Sequence, residues 1–184
     1  MRLLPMILML IAAAGCSRGD LAGASVAASG DASVTATSAP LNNEAQALGV
    51  LAALDQSEAT LARQALSRPL DPTAAQFARS MLHEHEQALS QTHARAPAES
   101  DLAQAVLARG EATMASVQLE EDPHAYRHAF LATAAADYAD ALAIVDQALL
   151  PVAQTPAARA YLTDARRRLA ARQQLALATV NRDT

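Results

Sequence analysis

Residues 71–94, DPTAAQFARSMLHEHEQALSQTHA, set the pattern for the whole domain. Asp71 stands where a side-chain oxygen can accept from the first free amides of a helix. Pro72 follows at the first helical position, where its missing N–H costs nothing and its fixed φ is already helical. Ala78, Leu82 and Leu89 then recur at helical spacing, with His85 among them. The same punctuation returns at Asp122-Pro123 and Thr155-Pro156, and Asn43 with Gln46 makes a capping box. Between these marks the pattern predicts helices over 43–67, 72–94, 100–119, 123–150 and 156–180. Their connections are short, so neighbours are expected to run antiparallel, in an all-α up-and-down bundle of four to five helices. The third helix has the weakest pattern. It contains Gly110, begins at Ser100 or Asp101, and is expected either to break or to serve as a crossover between two hairpins.

Alanine supplies about a quarter of the 184 residues. It is the best helix former and lets helices approach closely, which predicts a slim bundle with little internal space. There is no lysine and no tryptophan, and Phe and Tyr together number five. A basic groove with stacking platforms is therefore absent, and nucleic acid is excluded as a partner. No Gly-rich phosphate loop, Gly-x-Ser-x-Gly elbow or His-Glu-x-x-His motif occurs.

The amino-terminal segment reads differently. One positive charge at Arg2 precedes a twelve-residue apolar run, Leu3 to Ala14, that ends in small residues before Cys16. Such a run is too short for a permanent span, which needs roughly 20 helical residues, and reads as a signal peptide over 1–15. Ala13-Ala14-Gly15-Cys16 is similar to the bacterial lipobox, in which a diacylated cysteine becomes the first residue of the mature chain. Cys16 is thus the expected lipidation site, and as the sole cysteine it can form no internal disulfide. Ser17 is not the aspartate of inner-membrane-retained lipoproteins, so the outer membrane is the expected destination. Residues 16–41, rich in Ser, Ala, Gly and Thr, read as a lipidated cysteine and flexible tether with a reach of about 25–30 Å, and 42–184 as one helical domain facing the periplasm.

Polar side chains interrupt the apolar stripes at four places. In the first helix Glu58 sits among Leu51, Leu54, Leu61 and Ala65, and in the second His85 sits on the Ala78–Leu82–Leu89 stripe. Counted from the turn near Pro69, the two stand at heights that differ by roughly 6 Å at 1.5 Å per residue, so they are expected to meet across the hairpin. A buried carboxylate needs a partner or becomes neutral, and a structural polar pair is the first reading of Glu58 and His85. The alternative is a divalent metal site for iron, manganese or zinc. In the fourth helix Tyr138 is the polar member of Leu131, Ala135, Leu142, Val145 and Leu149. In the fifth, Arg172 shares a face with Leu162, Ala165, Leu169 and Ala176. Tyr138 and Arg172 fall at comparable height, which predicts a polar layer. His124 and His128, four apart on one face, have metal-compatible spacing but no third ligand, and remain weaker site residues.

These residues resemble a bacterial exported family of unknown function with a ferritin-like helical bundle. Phe77-Ala78-Arg79-Ser80-Met81-Leu82-His83-Glu84-His85 looks like its "F-A-x-x-M-v-x-D-H" stretch, and Glu58-Ala59-Thr60-Leu61 resembles its Glu-bearing first helix. Tyr126-Arg127-His128-Ala129-Phe130, with Asp137-Tyr138 beyond, is similar in spacing to its "F-D-x-x-Y … D-H" stretch. The resemblance spans roughly 44–180 and implies a ferritin-like fold. The chain departs from that pattern where Tyr138 and Arg172 replace histidines and Arg127 and Phe130 replace Asp and Tyr, leaving Glu58 and His85 as inward ligand types. A di-metal centre needs about six ligands from four helices. The expected function is therefore that of a non-catalytic, lipid-anchored module binding an envelope protein partner without a cofactor. A metal or redox bundle is the alternative, and a carrier with an apolar pocket comes third.

Overall fold

The computed structural model describes residues 38–183, and Cys16, the signal segment and most of the tether lie outside the described residues. Five long helices account for nearly all of the domain, and no strand occurs among the described residues. They are α1 (Glu44–Leu66), α2 (Pro72–His93), α3 (Asp101–Gln118), α4 (Pro123–Ile144) and α5 (Pro156–Val180). The punctuation acts as expected. Asp71 accepts from the amides of Thr73 and Ala74, Asp122 from those of His124 and Ala125, and Thr155 from that of Ala158, each with Pro at the start of the helix. Asn43 accepts from the amide of Gln46, whose own side chain accepts from Asn42 N–H, one residue before the expected position.

Side-chain and backbone contacts fix the direction of each helix. α1 and α3 run parallel and in step, because Ala98 N–H donates to Ala45 O, Gly110 faces Ser57, Gln64 donates to Met114 O, and Arg68 to Glu120 O. α2 and α4 run parallel to one another, with Phe77 edge-on to Phe130 and His85 stacked on Tyr138. α5 is antiparallel to both, through Thr92–Tyr161 and Ser80–Arg172 on one side and Asp146–Arg166 on the other. The chain thus goes up, down, up, down, up. α1 lies innermost, with thirteen buried residues.

Two expectations are corrected. Of the two alternatives for α3, the break at Gly110 is the one corrected: the helix is continuous, with Ser100 as its cap, accepting from Ala103 N–H, and it connects the α1–α2 hairpin to the α4–α5 pair. Gly110 is there for close approach, since a Cβ would lie 2.6 Å from Ser57 Oγ and 2.9 Å from Ser57 Cβ. The fourth helix does not continue regularly to residue 150. Its ladder widens into a π turn over Val145–Leu149, in which Leu150 N–H reaches Val145 O, and a short turn Leu150–Val152 follows. Pro151 explains this, because its ring crowds the carbonyl four residues back and it has no N–H for the regular ladder.

Candidate functional site

While the buried hydroxyls of Thr92 and Thr179 bond to Ala88 O and Leu175 O of their own helices, the buried ionisable side chains gather in one layer that crosses the bundle at mid-height. α1 carries Asp55 and Glu58 into it, one turn apart and both almost fully buried. α2 adds His85 and α4 adds Tyr138, also buried. His85 Nδ1 lies 2.9 Å from Asp55 Oδ1, and His85 Nε2 lies 3.1 Å from the Tyr138 hydroxyl. A carboxylate can only accept, so with Asp55 ionised Nδ1–H is the donor. In the neutral imidazole Nε2 then accepts the Tyr138 O–H. Burial pushes the Tyr138 phenol well above its usual range, and the charges of Glu58, Asp55 and Asp137 push it further, which keeps that proton in place.

The partner of His85 is therefore Asp55, not Glu58. Glu58 stands a turn further along α1, faces the cavity between α1, α3 and α4, and leaves Oε2 buried without a hydrogen-bond partner. Asp55 Oδ2 is in the same condition. Burial raises the Glu58 carboxyl well above the carboxylate range, reinforced by Asp137 and Asp55. Asp137, half-buried on α4, is lifted by burial to about 6, with Arg109 pulling the other way.

Each end of the layer carries an arginine–carboxylate pair. On the α3–α4 side Arg109 pairs with Asp140 beside a cavity of about 40 Å³ lined by Glu58 and Asp137. On the α2–α5 side Arg172 pairs with Glu84 and donates to Ser80 Oγ at 3.2 Å, beside a cavity of about 30 Å³ lined by Asp55 and His85. Arg172 thus belongs to the layer, at its edge, with its side chain only 14% exposed. Each cavity has room for about one water.

The structure brings Glu58, His85, Tyr138 and Arg172 into this one layer. His124 and His128 lie elsewhere, exposed near the start of α4, and Cys16 is outside the described residues. Sequence reasoning missed Asp55, Asp137, Arg109 and Asp140. Asp55 carried a readable signal, being four residues after Leu51 and three before Glu58, and so on the same face. Asp137 and Arg109 became legible only once α3 and α4 were placed against α1.

Both ring nitrogens of His85 are engaged within the layer, and the guanidinium groups of Arg109 and Arg172 stand at its two mouths. Among the described residues no three His, Asp or Glu side chains are grouped so as to hold an ion. No family model, curated protein or solved structure matches the chain. Among the described residues no helix is long and apolar enough to cross a membrane.

Proposed function

We propose that this chain is a lipid-anchored, non-catalytic helical-bundle protein of the bacterial cell envelope, related to the exported ferritin-like family that its motifs resemble. Cys16 holds it at the outer membrane, the domain faces the periplasm, and its surface engages an envelope protein partner without a cofactor. The observation that carries this reading is the polar layer: Asp55, His85 and Tyr138 are bonded to one another, Arg109 and Arg172 are paired with carboxylates at its edges, and the spaces beside them hold no more than about 40 Å³. What remains available for work is the outer surface, which exposes Leu119 at the α3–α4 turn and Leu175 and Leu177 on α5. The lipobox-like Ala13-Ala14-Gly15-Cys16 and the Ser at position 17 support the anchor and its destination.

The anchor is tested by palmitate labelling and membrane fractionation of cells making the full chain. The wild type is expected to carry the label in the outer membrane, and Cys16→Ser to lose it and become soluble in the periplasm. An unlabelled wild type, or one sorted to the inner membrane, overturns this part. Photo-cross-linkers placed at Leu119, Leu175 and Leu177 test the partner, and absence of any adduct in intact envelopes counts against it. Elemental analysis of protein purified without chelator decides the cofactor question. One iron, manganese or zinc per chain would replace this reading by that of a metal-binding bundle.

A further inference from the structure

Glu58 is held in the interior with no counter-charge of its own. The groups that face it are mostly acids: Asp55 on its own helix and Asp137 on α4, with Asp140 further out. His85 of α2 is bonded to Asp55, and Arg109 of α3, a cation lining this cavity, is paired with Asp140. Arg168 and Arg172 of α5 line the opposite cavity, on the far side of Asp55 and His85. Two adjoining carboxyls beside a space for one water cannot both be ionised without a large desolvation and repulsion cost. Protons, held at Glu58 and Asp137, remove that cost.

The wall of the cavity is unevenly built. α1 buries thirteen residues, whereas α3 buries four, Leu102, Ala103, Val106 and Val117. α3 meets α1 at mid-height through Gly110 against Ser57, where a bare backbone supplies the contact, and Arg109 straps it to Asp140 of α4. It is the element that can move away at least loss of buried surface.

We propose that Glu58 and Asp137 form a proton-operated latch on α3: while both carboxyls hold their protons α3 lies closed on α1 and α4, and when they lose them to solvent α3 lifts and admits water to the charges. The direction follows from the environment. Both carboxyls release protons at higher pH inside the bundle than in an unfolded chain, so the closed form is favoured on the acid side and the open form as pH rises through about 6 and above.

Hydrogen–deuterium exchange of the full chain in detergent, corrected for intrinsic rates, tests this between about pH 5 and pH 8. Amides over the middle of α3, from Val106 to Met114, are expected to lose protection about tenfold or more, the factor that corresponds to one unit of differential proton affinity, while α2 and α5 change less. Glu58→Gln, which keeps the shape and removes the charge, is expected to abolish the pH response. Asp137→Asn should reduce it, and the outward-facing Glu111→Gln should leave it intact. Difference infrared spectra at about pH 5, where the latch is closed, should show a protonated carboxyl in the wild type that is missing from the Glu58→Gln protein. A response spread equally over all helices, one retained in Glu58→Gln, or no buried protonated carboxyl overturns the proposal.

Discussion

Asp55 and His85, thirty residues apart in the chain, meet in the interior with Oδ1 2.9 Å from Nδ1, and this pair joins α1 to α2. Neither side chain is more than 7% exposed, so each is the other's substitute for water. Removing one partner of a buried pair leaves the other uncompensated, which costs more than the pair contributes when intact.

His85→Ala is accordingly expected to destabilise the fold by about 3–5 kcal/mol, because Asp55 is left buried and unpaired. Tyr138→Phe removes a single hydrogen bond at 3.1 Å and should cost about 0.5–1.5 kcal/mol. Urea unfolding of both single variants and the double variant checks this. If the two effects simply add, the three side chains do not form one network.

Glu58→Gln is expected to stabilise the domain at neutral pH, by about 1.4 kcal/mol for each unit by which burial raises the carboxyl, because the amide never has to be kept protonated against solvent. The sign follows from linkage. A carboxyl whose folded value is raised favours folding below its unfolded value, near 4.5 for Glu58, and that contribution is lost as pH rises through the folded value. Asp137 behaves alike between about 4 and about 6. The wild type should therefore lose stability across mildly acidic pH, and Glu58→Gln should lose less. Thermal unfolding followed over pH would show equal slopes if Glu58 were ionised throughout.

Gly110→Ala should destabilise by about 1–3 kcal/mol although alanine is the better helix former, since the added methyl would meet Ser57. Combining it with Ser57→Gly is expected to recover the loss that comes from the clash. A Gly110→Ala protein more stable than wild type would show that α1 and α3 are not in close contact there.

Asp71 and Asp122 cap α2 and α4 alike, but Asp71 also accepts from Arg127 of α4. Asp122→Ala should cost about 1 kcal/mol and Asp71→Ala more, with Asp71→Asn returning the cap and not the ion pair. Equal losses in the two alanine variants, read by chemical denaturation, would mean the Arg127 contact contributes nothing.

The helices were legible because Asp71-Pro72, Asp122-Pro123 and Thr155-Pro156 act on their own amides and need no tertiary context. The polar layer was legible in part. Glu58, His85 and Tyr138 interrupt apolar stripes, and an interruption shows in one dimension. The assignment of partners does not, because Asp55 and Glu58 are one turn apart on the same face and either could have met His85. Only the crossing of α1 over α2 selects Asp55. Gly110 looked like a weakness in a helix read alone and is a contact surface once Ser57 lies against it. The π turn follows from Pro151, whose effect falls on the preceding turn instead of at its own position.

Glu44, in the first turn of α1, accepts from the amides of Gln154 and Thr155 and from the Thr155 hydroxyl, contacts that hold its carboxyl below the usual range. The first helix is thereby fastened to the turn between α4 and α5 at the end where the chain enters the domain. Tension applied to the chain just before Asn42 is shared between the opening and closing segments of the bundle, so it does not simply strip α1 from its neighbours.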